Sequence, residues 1–438
     1  MHRIYKRAPS VKTKRLPKLL KITNCTILDP FSNNEFTGEI LLKNGRIEAV
    51  SKKISSENAK EIDADGAVVT HGFCDLHSHF REPGREDKET LLTGSQAALA
   101  GGFTSVCVMP NTNPPLDSPE SIRFVAEKAG LVPIRLYPIG AVTVGQKGKE
   151  MTEMGEMVKA GAVAFSDDGI PISDGEVMRL ALMYSGQFGV PIINHAEDVD
   201  LRGNGQMNEG RWSTRLGLTG IPDVSESIMV ERDLQLAEYT GGKIHIPHVS
   251  TAKSVNAIRQ AKEQGVNITA EVTPHHLYFD DSSLQTYDTN LKVAPPIRSE
   301  ADRDMLISAI ADGTVDCIAT DHAPHTVEEK ENPFEYAPCG MIGLESAFGA
   351  TWKMLSANKI SLLDVVRRLT VMPRQIMGFE PDIFAKGSEA ELVFLDPDQV
   401  WTFGLEHIRS KSRNSPFIGK ELKGKVVSVV SRGQIFTL

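Results

Sequence analysis

No apolar run in the chain approaches the roughly 18 residues that a membrane-spanning helix needs, so no membrane partner is expected. The five cysteines, Cys25, Cys74, Cys107, Cys317 and Cys339, are an odd set without a C-x-x-C pair. That excludes a disulfide framework and suits a reducing cytoplasm. A glycine-rich phosphate fingerprint is also missing: no G-x-G-x-x-G follows the first central strand, and G-Q-K-G-K at 145–149 is no P-loop. Positive charge is in short supply, because a net charge of −9 over 438 residues argues against nucleic acid as the main partner. The exception is the head of the chain, where the first 20 residues hold seven Lys or Arg and no acid, leaving about −16 on the rest. This head has no apolar stretch of the secretory type. It reads as a disordered tail over residues 1–19 or a start placed too early, with a transit peptide the weaker alternative.

What is present is strands at both ends and something different between them. K-I-T-N-C-T-I-L and G-E-I-L-L-K-N-G-R-I-E-A-V read as strands, with Asn44-Gly45 a strong two-residue hairpin signal. E-L-V-F-L-D-P and K-V-V-S-V-V-S-R-G-Q-I-F read as strands near the other end. In the middle, strand-like runs at 72–79, 103–109, 134–140, 162–167, 191–196, 243–249, 267–273 and 316–321 alternate with amphipathic stretches. Those stretches carry helix starts at Ser118-Pro119 and Thr251 and glycine stops at Gly130 and Gly265. Eight β-then-α units predict an α/β fold, a (β/α)8 barrel, with an open doubly wound sheet as the runner-up. The boundaries follow: a tail over 1–19, β-structure over 20–70, the barrel over 71–380, and β-structure again over 381–438.

Chemistry in such barrels sits at the C-terminal ends of the strands, and reactive residues fall there repeatedly. D-L-H-S-H-F-R-E-P-G at 75–84 sets His77, His79 and Arg81 on one face of a strand. Two imidazoles on one face can grip a metal, and a guanidinium beside them can hold an anion. The second strand ends at Asn111, the fourth at Asp167-Asp168, the fifth at Asn194-His195 and the sixth at His248. The eighth ends at Asp321-His322, with His325 soon after. A lone histidine at a strand end is usually just a satisfied polar residue, and an Asp pair before glycine can simply shape a turn. The whole set on one rim is a ligand inventory for one or two Zn2+ ions. Spacing alone leaves the choice between Asp167 and Asp168 open.

The motifs D-L-H-S-H-F-R-E-P-G, M-P-N-T, F-S-D-D-G, N-H-A-E-D, P-H-V-S-T and A-T-D-H-A-P-H resemble, in order and spacing, those of the dihydroorotases of the amidohydrolase superfamily, type I branch. The resemblance runs from about residue 20 to the end. It implies a metal-bearing barrel with a small β-sandwich made by both chain ends. It implies His77 and His79 as ligands of one metal, His195 and His248 of a second, and Asp168 between them, with Asp321 as last ligand and proton carrier. The substrate would be N-carbamoyl-L-aspartate or dihydroorotate in pyrimidine biosynthesis, its unreactive carboxylate held by Arg81, Asn111 and His325. His79, Cys339 and Gly340 would line the ring. Ala294 stands where many relatives carry an asparagine, and Cys339 where a phenylalanine is common. Those departures make a hydantoinase or allantoinase the enzymatic alternative. A structural partner of aspartate transcarbamoylase is the alternative of another class. A homo-oligomer is expected, and association with a transcarbamoylase is compatible with activity.

Overall fold

The structure, a computed structural model, describes residues 12–438. Eight short parallel strands form its centre: β1 (Phe73–Ser78), β2 (Phe103–Val108), β3 (Arg135–Pro138), β4 (Phe165–Ser166), β5 (Ile192–Ile193), β6 (Ile244–Ile246), β7 (Ile268–Val272) and β8 (Cys317–Ile318). Strands β1 to β3 pair in order, and so do β4 to β8. Single parallel bridges, Gly140 to Phe165 and Ser78 to His322, join the two groups into a ring. A helix follows each strand, and all eight strand-like runs read from the sequence contain a strand of this ring. Most strand residues are buried because both faces are covered, one by the barrel interior and one by helices.

The helix ends obey local chemistry. The helix Pro119–Lys128 starts at Ser118, whose side chain accepts from the Ser121 N–H, with proline at the first turn. The helix Ala252–Glu263 starts at Thr251, which accepts from the Ser254 N–H. Each cap satisfies a backbone donor that the helix itself leaves orphaned.

Both chain ends share one nine-stranded sheet beside the barrel. The link is the antiparallel pairing of Val68–His71 with Leu392–Leu395, immediately before β1 in the chain. The long strand Leu19–Asp29 forks the sheet: one edge pairs Asn34–Lys43, and the other is divided between Lys60–Asp63 and Val68–His71. The fork encloses its own apolar core, including Leu20, Ile22, Ile40, Leu392 and Val430. Asn44 and Gly45 make the expected tight turn, both at positive φ, between paired Lys43 and Arg46. One expectation is corrected. Lys12–Arg15, assigned to a disordered tail, is a strand paired with Gln434–Thr437; residues 1–11 lie outside the described residues.

Candidate metal centre and its cavity

The mouth of the barrel is held together below the site by a buried aspartate. Asp75 accepts from Ser78 Oγ (2.6 Å), Thr320 N–H (2.8 Å) and Thr320 Oγ (2.6 Å), tying β1 to the end of β8. His79 N–H donates to the His322 carbonyl at 2.8 Å one step higher. These bonds set the depth at which His77, His79 and Asp321 emerge.

His77 is fully buried. Its Nδ1 lies 2.9 Å from Glu271 Oε1 on β7. A carboxylate only accepts, so Nδ1 carries the proton and Nε2 is free for another partner. Nε2 has no hydrogen-bond partner, yet sits 3.3 Å from Asp168 Oδ2 and 3.5 Å from Asp321 Oδ1. A neutral imidazole would aim a lone pair at two carboxylates there. His79 Nε2 faces the same oxygens, at 3.3 Å from Asp168 Oδ2 and 3.1 Å from Asp321 Oδ1. Across the mouth, His195 Nδ1 and His248 Nε2 lie 3.0 Å apart and 3.6 and 3.4 Å from Asp168 Oδ1. Asp168 thus offers one oxygen to each histidine pair. Asp167, which spacing could not separate from it, turns away to accept from the Val142 and Thr143 N–H groups and the Thr143 hydroxyl.

The electrostatics ask for positive charge. Burial lowers the pKa of His77 and His195, but neighbouring carboxylates outweigh it: His77 is driven well above its ordinary value and His195 to about 10. Burial likewise opposes ionisation of Asp168 and Asp321, yet the histidines hold both below the usual carboxylate range. An orphaned nitrogen among carboxylates, and two close-set triads (His77, His79, Asp168; Asp168, His195, His248), fit a pair of divalent cations of the zinc type. Asp321, His248 and Arg81 all have φ between 35° and 60°. Such backbone is costly for residues other than glycine and concentrates at functional sites.

Every residue expected to meet substrate lines one cavity of about 320 Å3: His79, Arg81, Asn111, Ala294, His325, Cys339 and Gly340, with Asp168, His195 and Asp321 at its floor. Arg81 donates from Nε to the Pro324 carbonyl (3.3 Å) and forms no ion pair among the described residues. Burial draws its pKa down to about 10, which leaves it charged at neutral pH. Asn111 lines the cavity as expected, and its Oδ1 accepts from His79 Nδ1 at 2.8 Å. His325 Nε2 donates to the Cys339 carbonyl (2.8 Å), so its Nδ1 accepts from Lys88 Nζ at 3.1 Å. Burial, then Arg81 and Lys88, pull this ring to about 3, so it stays neutral.

Sequence reasoning missed several members. Glu271 bridges His77 and His245 Nε2 (3.1 Å), and those bonds outweigh burial to bring it to about 2. An acid inside the apolar run I-T-A-E-V-T was the available signal, because a buried glutamate needs partners. Glu197 and Arg202 also line the cavity, 3.1 Å apart, as does Gly169. Nothing in their spacing distinguished them.

Comparison with known proteins follows this geometry. The family model described as Dihydro-orotase-like matches residues 66–254. The chain is 44% identical to a dihydroorotase of Pelotomaculum thermopropionicum over 95% of its own length and 98% of the relative's. It is 45% identical to one of Caldanaerobacter subterraneus, covering 94% and 96%. Among solved structures, an L-hydantoinase (dihydropyrimidinase) from Arthrobacter aurescens superposes with a TM-score of 0.85 at 24% identity, covering 95% of both chains. A D-hydantoinase structure gives 0.83 at 21%, again with 95% of each chain covered; at such identities the likeness speaks for the fold. With relatives this similar over nearly their whole length, the chain belongs to the dihydroorotase family.

Proposed function

We propose that this chain is a zinc-dependent dihydroorotase, closing N-carbamoyl-L-aspartate into dihydroorotate for pyrimidine synthesis and opening the ring in reverse. One observation carries the reading: a half-buried guanidinium, without an ion pair among the described residues, shares a cavity with two histidine pairs grouped around one carboxylate. His77, His79, Asp168 and Asp321 would hold one ion, and Asp168, His195 and His248 a second. When bound, such ions draw the pKa of water towards neutrality and polarise a carbonyl. Asp321, ionised and at the cavity floor, is placed to act as base and then acid. In ring opening, water oxygen adds to the amide carbonyl carbon while Asp321 takes the proton. The bond from that carbon to the ring nitrogen then breaks, and Asp321 returns the proton to the nitrogen. Arg81 forks onto the carboxylate that does not react, orienting the ring. Asn111 keeps His79 turned to the floor, and His325, Cys339 and Gly340 wall the anion side.

Ala294 gives one wall of the cavity no hydrogen-bonding side chain, which favours a second reading, a hydantoinase or allantoinase type of ring opening. An inert partner of aspartate transcarbamoylase fits poorly with a full donor set. Free cysteines, four of the five buried, support a reducing cytoplasm as the place of action; among the described residues no helix is long and apolar enough to cross a membrane. Self-association and docking onto a transcarbamoylase belong to the same reading and rest on the family resemblance; light scattering with and without that partner tests both. The decisive assay is ring closure of carbamoyl-aspartate with and without chelator, beside opening of dihydroorotate, hydantoin and dihydrouracil. Full activity in chelator, with no transition metal bound, sinks the metal reading. Faster opening of a neutral ring moves the hydantoinase reading ahead.

A further inference from the structure

The segment between the two long C-terminal strands, Leu392–Thr402 and Glu421–Ser431, leaves the terminal sheet and reaches the barrel mouth. There Ser412 Oγ donates to the Lys88 carbonyl at 2.8 Å, and Lys411 N–H to Glu89 Oε1 at 3.1 Å. Asn414 follows, 5% exposed, with every polar group of its side chain engaged. Its Nδ2 donates to the Ala323 carbonyl (3.0 Å) and the Gly340 carbonyl (3.2 Å), while Oδ1 accepts from the His325 N–H (3.1 Å). Its main-chain carbonyl accepts from the Ile342 N–H at 3.0 Å.

Those three side-chain partners all line the cavity, on two stretches of the loop after β8 that meet beside Arg81. The fit there is close. Gly340 has φ +128°, and a Cβ on it would stand 2.7 Å from Ala323 Cβ and 3.0 Å from His325 Nε2. A shift of either stretch therefore moves the wall that faces a bound anion. No apolar residue could serve two carbonyls and an N–H at once, and a carboxylate would satisfy the N–H while repelling both carbonyls.

We propose that Asn414 is a positioning residue for the substrate carboxylate: by clamping Ala323, His325 and Gly340 it sets the anion wall opposite Arg81, so that the terminal segment completes the specificity pocket. The inference rests on the anion-side reading given above. It touches none of the groups around Asp168, so substrate fit and metal retention should separate on mutation.

The test is steady-state kinetics of the full-length, zinc-loaded protein and its Asn414→Ala, Asn414→Asp and Asn414→Ser variants, with dihydroorotate and with dihydrouracil, beside metal analysis. Losing these bonds should raise KM for dihydroorotate at least about tenfold, with kcat within about threefold and metal content unchanged. Dihydrouracil turnover should hardly move, so the preference for the carboxylated ring falls about tenfold. Asn414→Asp should be as impaired as Asn414→Ala, and Asn414→Ser, which can give and accept one bond, should lie between parent and Ala. An unchanged KM in any folded Ala or Asp variant overturns the proposal. So do equal losses on both rings together with lost metal, or failure of all three variants to fold, because either outcome reduces Asn414 to a structural role. A parent without preference for dihydroorotate overturns the anion-side reading and this inference with it. A parent preference untouched by the variants overturns Asn414 alone.

Discussion

The two sides of the cavity are built on different plans. On the metal side, the key side chains sit at or just beyond strand ends and face each other directly around Asp168. On the anion side, Arg81 and His325 stand on loops, and their places depend on other loops: Lys88 for the His325 ring, Pro324 for Arg81, and a distant C-terminal segment for the wall. A site carried by strand ends inherits the stiffness of the barrel, whereas one carried by loops must be braced side chain by side chain. On the proposed reading, chemistry rests on strand ends and specificity on braced loops.

Mutations can test that division. The largest effect is expected from Asp321→Asn, which removes the proposed proton carrier: kcat should fall by about 10²–10⁴ with folding kept. Near parental turnover of the purified variant would remove Asp321 from acid-base work. Next, Glu271→Gln should leave His77 without its carboxylate and weaken zinc affinity by about 10- to 100-fold in a chelator competition. Unaltered affinity would show that β1 alone orients His77.

On the anion side, Arg81→Lys should lower kcat/KM for dihydroorotate at least roughly tenfold, since an ammonium lacks the planar two-pronged donor. Metal content should stay the same and dihydrouracil opening should barely change; an equal loss on the neutral ring would show that Arg81 reads no carboxylate. The smallest effect concerns stability. The folded pKa of His325, about 3, lies below its unfolded value near 6.5, so the unfolded chain takes the proton first and stability drops as pH falls through that window. Between pH 7 and 6 the parent should lose about 0.7 kcal/mol more than His325→Gln in denaturant titrations. Parallel pH profiles would mean that the ring is not held neutral.

The same division explains what could be read from the chain beforehand. Strand-end histidines and aspartates are local patterns, so all eight strands could be placed from periodicity and caps, and motif order pointed to six candidate ligands that the structure brings together. Asp167 and Asp168 could not be told apart by spacing, because what separates them is the Thr143 loop that captures the first. Lys88 lies 237 residues from the ring it braces, and Glu271 lies 194 from His77. No local pattern encodes a partner at such distance. Asn111 was placed in this cavity, but its bond to His79 was not foreseen, since a side-chain amide can serve an anion and an imidazole through different atoms. Lys12–Arg15 was missed because its basic composition reads as solvated, while its pairing partner lies at the opposite end of the chain.

The bond between Asp75 and Thr320 spans 245 residues. At about 5–20 residues per second, Thr320 leaves the ribosome roughly 12–50 s after Asp75. Throughout that time one edge of the first barrel strand lacks its neighbour, and His77 and His79 are without Asp321. An edge in this condition invites pairing with other chains, and the long separation makes ring closure a late event in folding. Nascent copies are therefore most exposed to mispairing before the last strand emerges, and a fragment ending before β8 should aggregate where the complete chain does not.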